Sequence, residues 1–350
     1  ELPVALYLIN KERVKMYHTH FRGTHYEAGF RWGSLLLKHQ NIILENIPFE
    51  ITQERIDYAS SCLPIYEKFY HEIIEEIQGL ADGQHCDVRI LQAVLFSMYS
   101  MPPACNCSCF AFTTGQEILL GRNSDFLTEI EKLNMNVIYR LTDGAYSFTG
   151  NTTAFVEVED GVNEYGLAAG LTSVYPIQRK PGFNAGLLLR YLLEKCKNVL
   201  EAISCLHQLP IASAQTLTLA DISGEIALVE CTPDCVEVTT SLSNTHSFVC
   251  DTNAFHLTKM MQYNSVGIDD WFAETRFQTM ISAFQNTKKI DLVFVKKLLS
   301  GDYGFLCQYD RSTGKDTVWS VIYDLKQHKI YRSEGNPRRF NFKEDTRFCF

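Results

Sequence analysis

Apolar residues recur at three- and four-residue steps through much of the first hundred positions, the period of a helix that buries one face. The clearest run is 65–82, where Ile65, Phe69, Ile73, Ile74, Ile77 and Leu80 share a stripe and Gly83 follows as a stop. Residues 28–46 and 88–100 carry the same pattern, so this lead-in is predicted to be helical. From Cys109 the period shortens. Runs at 110–113, 118–121, 136–141, 145–149 and 155–158 alternate with turn residues and predict an antiparallel meander. Helical spacing returns at 183–195, with Leu187, Leu188, Tyr191 and Leu192 inward, and at 199–206. Strands are then predicted at 216–220, 226–230 and 236–240, helices at 271–283 and 291–299, and strands at 317–324 and 330–332. Blocks of hairpins between blocks of helices predict an α+β layered fold, not a parallel βαβ sheet. The organisational break falls at Met101-Pro102-Pro103, and no repeat or low-complexity tract accompanies it.

Composition narrows the classes. With 46% hydrophobic and 21% charged residues, the 350-residue chain has ordinary globular composition. Its formal net charge is -9 and no basic run tracks a phosphate backbone, which argues against a nucleic-acid partner. No stretch reaches the roughly 18 to 20 apolar residues of a membrane-spanning helix. Residues 1–10 lack a basic start and a small-residue cleavage site, so no signal peptide is expected and a cytoplasmic location is. The twelve cysteines are scattered and are expected to be mostly reduced thiols. The sequons Asn151-Thr-Thr and Asn106-Cys-Ser carry little weight. The ten histidines form no cluster, and His246 and His256, on either side of Asn253, are expected in packing or solvent.

Candidate chemistry concentrates after the break. Cys105-Asn-Cys107-Ser-Cys109 is followed by Gly121-Arg122-Asn-Ser-Asp125-Phe on the next predicted hairpin strand. Alternating cysteines on an extended strand lack the knuckle loops of structural zinc, so no metal is expected. Taken alone, these residues leave bland readings open. The cysteines can be buried and inert, Arg122 and Asp125 a surface ion pair worth about 0 to 1 kcal/mol, and Asn253 a helix cap.

The motifs nevertheless form an ordered set. Cys107-Ser-Cys-Phe-Ala-Phe with Gly121-Arg-Asn-Ser-Asp125-Phe resembles the nucleophile hairpin of the choloylglycine hydrolase and penicillin V acylase superfamily. The resemblance is closer to the branch of the acyl-coenzyme A:isopenicillin N acyltransferases. Phe21-Arg-Gly-Thr-His-Tyr-Glu-Ala-Gly29-Phe-Arg-Trp-Gly33 is similar to that branch's opening motif, and Glu75-Glu-Ile-Gln-Gly-Leu-Ala81 to the helix that follows. Asn163-Glu-Tyr-Gly166-Leu, Asp251-Thr-Asn253 and Thr317-Val-Trp-Ser-Val-Ile-Tyr-Asp324 resemble later elements in the right order.

The resemblance implies an N-terminal-nucleophile hydrolase: a four-layer αββα sandwich over 107–350, with 1–106 as a helical propeptide or α chain packed on it. It implies that Cys107 is the nucleophile, and that its base is its own α-amine, freed by autocleavage at Asn106/Cys107. Such an amine has an unperturbed pKa of about 7.7 to 8.0, suited to general-base work. Arg122 would favour the thiolate, Asp125 would orient the amine, and Asn253 would donate its amide to the oxyanion. Thr172 stands where relatives carry a second oxyanion or substrate-contacting group. The chain departs from the branch twice. Relatives have Gly where Asn106 stands, and an Arg where this chain offers Lys315 or Arg311. The implied reaction is hydrolysis of linear, non-peptide amides in N-acyl amines or N-acyl amino acids through a thioester, with a small-molecule acyl amide as partner and no cofactor. Acyl transfer from a coenzyme A thioester and an uncleaved, non-catalytic homologue are the alternatives. Homo-oligomerisation is left open.

Overall fold

The computed structural model describes residues 16–101, 106–242 and 247–350. The segment 1–10, Pro102, Pro103, Cys105 and His246, singled out above, lie outside the described residues.

The lead segment forms strand β1 (Tyr17–Gly23) and helices α1 (His25–Lys38), α2 (Gln53–Phe69), α3 (His71–Gln84) and α4 (Val88–Ser97). Thr24 and Glu27 close a reciprocal capping box on α1. Helices α1 and α3 pack backbone to backbone. A Cβ on Gly29 would stand 2.0 Å from the Glu76 carbonyl oxygen, and one on Gly79 would stand 2.1 Å from that of Tyr26. The single helix predicted over 65–82 is instead broken at Tyr70, whose φ of -151° ends α2 and starts α3. The break turns Tyr70 inward, where its hydroxyl donates to Glu194 Oε2 at 2.6 Å.

The remaining strands are β2 (Asn106–Thr113), β3 (Ile118–Leu127), β4 (Met135–Leu141), β5 (Phe148–Thr152), β6 (Asp160–Asn163), β7 (Ala168–Ser173), β8 (Gln215–Ala220), β9 (Ile226–Cys231), β10 (Val236–Thr239), β11 (Ser247–Asp251), β12 (Lys315–Asp324), β13 (Lys329–Ser333) and β14 (Lys343–Glu344). Helices α5 (Ala185–Lys195), α6 (Val199–Leu206), α7 (Ala273–Asn286) and α8 (Leu292–Leu299) complete the set. Among the described residues, one sheet has eight strands in the order β1-β4-β5-β6-β7-β8-β9-β10 and the other six, β11-β2-β3-β12-β13-β14. From β4 to β10 the larger sheet is an antiparallel meander, and β1 joins its edge parallel to β4; the single meander expected over 110–158 is divided, because β2 and β3 belong to the smaller sheet.

The sheets meet face to face, β2 and β3 lying against β7 and β8. Cys109, Ala111, Leu120, Val162, Ala168, Leu228 and Val321 fill the space between. Helices α5 and α6 cover the outer face of the larger sheet, and α7 and α8 that of the smaller, where Phe110, Phe112, Phe248, Phe284 and Leu298 pack. This is the four-layer αββα order predicted. The strand predicted at 155–158 is a turn instead, with Phe155 at φ 56°, and it carries buried Glu157 and Glu159 into the interior. Among the described residues no helix is long and apolar enough to cross a membrane.

Candidate active site

Side chains of β2 alternate between the two layers, as any strand's must. Cys109 and Ala111 point to the other sheet, and Phe110 and Phe112 to the helices, so Cys107 shares the inter-sheet face. Register with β3 sets Cys107 opposite Ser124 and Cys109 opposite Arg122, leaving Arg122 diagonal to Cys107 on that face. Arg122 Nη2 donates to Cys107 Sγ at 2.7 Å, and both side chains are fully buried.

The rest of the guanidinium is pinned. Nε donates to the Leu171 carbonyl (3.0 Å), Nη1 to Asp160 Oδ2 (2.9 Å) and Nη2 also to Glu159 Oε2 (3.3 Å). Gly170 on β7 makes the room, since a Cβ there would stand 2.6 Å from Cys109 Sγ and 3.1 Å from Arg122 Cδ. Burial alone would lower the Arg122 pKa, but Cys107, Asp160 and Glu159 outweigh it and hold it well above its usual value. Asp160 also accepts from Trp319 Nε1 (2.9 Å) and the Tyr323 hydroxyl (2.7 Å). Burial pushes the neighbouring Cys109 thiol up to about 12, which keeps it protonated.

Asp125 stands opposite Asn106 on the helix-facing side of the smaller sheet. It accepts from Tyr309 OH (2.9 Å) and Thr317 Oγ1 (2.6 Å), with Arg276 Nη1 3.7 Å away. Burial raises its carboxyl to about 6 against the opposing pull of Arg276 and the two hydroxyls. A bulge in β12 between Thr317 and Trp319 sends those two side chains to opposite faces, one to Asp125 and the other to Asp160.

The Cys107 N–H donates to Asn253 Oδ1 at 2.9 Å, while Asn253 Nδ2 donates to the Ser173 carbonyl at 2.8 Å. Asn253 therefore holds the backbone nitrogen of Cys107. Arg276 on α7 completes the group. It donates to the Cys107 carbonyl, to Ser108 Oγ (3.0 Å) and to Asn253 Oδ1 (2.8 Å). The sequence reading missed Arg276, although it lies four residues before Met280 and eight before Phe284, on the helix's buried stripe. A cation in an apolar stripe signals buried use.

A small cleft of about 70 Å³ opens beside these groups, lined by Asn106, Ser173, Asn253, Asp269, Asp270 and Trp271 among others. With its amide turned to suit its neighbours, Asn106 donates to the Asp270 carbonyl (3.2 Å) and accepts from Trp271 Nε1 (3.3 Å). The rim is strained, since Trp271 and Phe272 adopt φ of 53° and 62° in succession. Arg276 holds it by donating to the Trp271 and Asp270 carbonyls, both at 3.0 Å.

The weaker candidates fall elsewhere. Thr172 Oγ1 is taken by Thr216 Oγ1 (2.6 Å) and the Thr252 carbonyl, which braces the turn before Asn253. Lys315 pairs with Asp269 at the cleft rim and lies 4.8 Å from the Trp271 ring centre. Arg311 pairs with Asp316 (2.7 Å) and Glu131, outside the cleft lining.

A family model described as acyl-coenzyme A:6-aminopenicillanic acid acyl-transferase matches residues 112–339, well over half the chain. No curated protein sequence matches significantly. Among solved structures, the chain is similar to a Caenorhabditis elegans N-acylethanolamine-hydrolyzing acid amidase ortholog, at 16% identity and TM-score 0.47, over 63% of this chain and 93% of that one. It is also similar to a variant of the conjugated bile acid hydrolase from Clostridium perfringens (15% identity, TM-score 0.43, 69% and 97% covered). A third is penicillin V acylase from Agrobacterium tumefaciens (16% identity, TM-score 0.40, 65% and 82% covered).

Proposed function

This chain belongs to the acyl-coenzyme A:6-aminopenicillanic acid acyl-transferase family, and from that premise we propose that it is a cysteine-nucleophile enzyme that cleaves linear amides of N-acyl amines or N-acyl amino acids. The observation that carries the reading is the 2.7 Å contact of Arg122 Nη2 with Cys107 Sγ at the start of β2. A fixed guanidinium favours the thiolate, the form that attacks a carbonyl.

In the continuous chain the Cys107 nitrogen is an amide, so the enzyme is latent. Cleavage between Asn106 and Cys107 converts that nitrogen to an amine able to accept a proton, and frees Asn106 from the cleft it lines. The thiolate then attacks the substrate carbonyl, the amine of the substrate leaves with a proton from the Cys107 α-amine, and water hydrolyses the thioester. Backbone N–H groups of the cleft would stabilise the oxyanion, joined by Asn253 once its Nδ2, bonded here to the Ser173 carbonyl, turns toward Cys107. Arg276 would fix Asn253 and the Cys107 carbonyl. The description of the matched family favours a second acceptor, since an amine in place of water turns the same thioester to acyl transfer.

Intact mass spectrometry tests the arming step, with a fragment beginning at Cys107 expected. A panel of N-acyl substrates, assayed with and without hydroxylamine, separates hydrolysis from transfer. A chain that stays whole, with Cys107 inert to iodoacetamide, would overturn the reading in favour of a non-catalytic homologue.

A further inference from the structure

Behind the turn that carries Asn253, three side chains outside the proposed reaction face one another. Glu230 on β9, Asp251 at the end of β11 and His256 place ligand-type atoms all within 4.8 Å of one another. Both carboxyls are fully buried. Glu230 accepts from the backbone N–H of His256 (2.7 Å) and of Leu257 (3.1 Å). Asp251 Oδ1 accepts from the Thr252 N–H (2.8 Å) and is bonded to His256 Nδ1 (2.7 Å). The imidazole is itself fixed, stacked 3.4 Å from the Phe277 ring centre, with Nε2 3.3 Å from Glu274 Oε2 on α7.

Asp251 Oδ2 is left buried without a donor when both carboxyls are ionised. Oxygens of the two carboxyls lie within 4.8 Å of each other. Two buried carboxylates this close repel strongly, whereas one proton between them turns repulsion into attraction and can supply the missing donor. A divalent cation is the other way to neutralise such a pair, but a zinc-like ion takes four ligands. Here backbone amides already occupy Glu230, and one acceptor at Asp251 is unmet, the demand of a single proton.

We propose that Glu230 is kept as a carboxylic acid that donates its proton to Asp251 Oδ2, and that this acid–carboxylate pair with His256 is the positioning unit that sets Asn253 against Cys107. The pair grips the turn from both ends: Asp251 two residues before Asn253, and the amides three and four residues after it. Burial, then the adjacent Asp251, raises Glu230 to about 9, consistent with a proton held at neutral pH. The functional part of this claim rests on the reading that Asn253 serves Cys107.

The test compares the full chain with Glu230→Gln and Glu230→Ala. A glutamine carbonyl still accepts from the amides and its NH2 still donates to Asp251, so Glu230→Gln should keep hydrogen-exchange protection at His256 and Leu257 within about threefold of wild type. Glu230→Ala should lose about 100-fold of that protection, and should lower kcat more than it raises KM. If Glu230→Gln loses protection as Glu230→Ala does, an ionised carboxylate is needed and the proposal is wrong. A stoichiometric divalent cation in the purified wild type, whose chelation reproduces the alanine variant, overturns it as well. Exchange protection reads the clamp whether or not any amide is hydrolysed. Absence of turnover in wild type would sink the proposed reaction while leaving the clamp to be judged by the glutamine variant.

Discussion

Arg122 and Arg190 are both fully buried and each is paired with two carboxylates, yet the groups around them differ at one point. Around Arg190 every end is closed. Glu76 and Glu194 take the guanidinium, Tyr139 OH donates to Glu76 (2.9 Å), Tyr70 OH and His25 Nε2 bond Glu194 (2.6 and 3.0 Å), and the Tyr139 ring covers the cation at 4.3 Å. Around Arg122 one arm ends instead on a sulfur. Buried charge of the same composition therefore serves two ends. The closed set ties His25, Tyr70 and Glu76 of the lead segment to Tyr139, Arg190 and Glu194 of the core, so the two parts should stay together if the chain is cut after Asn106. The open set leaves a cation against the sulfur that we propose as the nucleophile.

The largest effect should come from removing the sulfur. Cys107→Ala should lower kcat/KM at least about 10³-fold, and should abolish any fragment beginning at residue 107 in intact mass spectra. Next, Arg122→Met and Arg190→Met each strand two buried carboxylates and should each cost about 3 to 5 kcal/mol in urea unfolding. Of the two, Arg122→Met alone should also slow alkylation of Cys107, and a comparable loss in folded Arg190→Met would erase the contrast drawn here.

A pH titration sharpens it further. Burial would lower His25, but Glu194 overcomes this and raises it from 6.5 to about 9. A raised histidine stabilises fully below its unfolded pKa, and that contribution is lost as pH rises through the folded one. It is therefore worth on the order of 3 kcal/mol below pH 6.5 and disappears toward pH 9. Urea midpoints across that window should fall in wild type and flatten in His25→Gln. The smallest effect is expected from Gly170→Ala, whose added methyl presses on Cys109 and Arg122 and should cost about 1 to 3 kcal/mol, with slower Cys107 alkylation.

The layered fold was legible because hairpin blocks and helix blocks have different periods, and most predicted elements are present. What escaped the sequence had weak periodicity. In β1 only Phe21 is buried, among exposed His18, Arg22 and half-buried neighbours, so no alternation shows. The runs of β6 and β7, Asp160-Gly-Val-Asn163 and Ala168-Ala-Gly-Leu-Thr-Ser173, are small and polar, and Gly170 among them leaves the room that Arg122 fills. Conversely, 155–158 looked like a strand because Phe155, Val156 and Val158 are apolar, but the turn they form serves to bury acids. At the site, the motif residues Cys107, Arg122 and Asn253 are brought together, with Asp125 behind them on the other face. Arg276, Tyr309, Glu159 and Asp160 were not readable, since each is isolated in sequence and acquires its partners only through sheet register and helix docking.

The bulge in β12 has a practical consequence. Because Val318 is the extra residue between Thr317 and Trp319, one stretch of chain supports an acid in each of two layers. Point substitutions can adjust either support separately, but a ladder that paired all three residues regularly would turn Thr317 and Trp319 to one face and leave one acid without its support. Anyone grafting this arrangement onto another sandwich must therefore copy the length of that segment as faithfully as its letters.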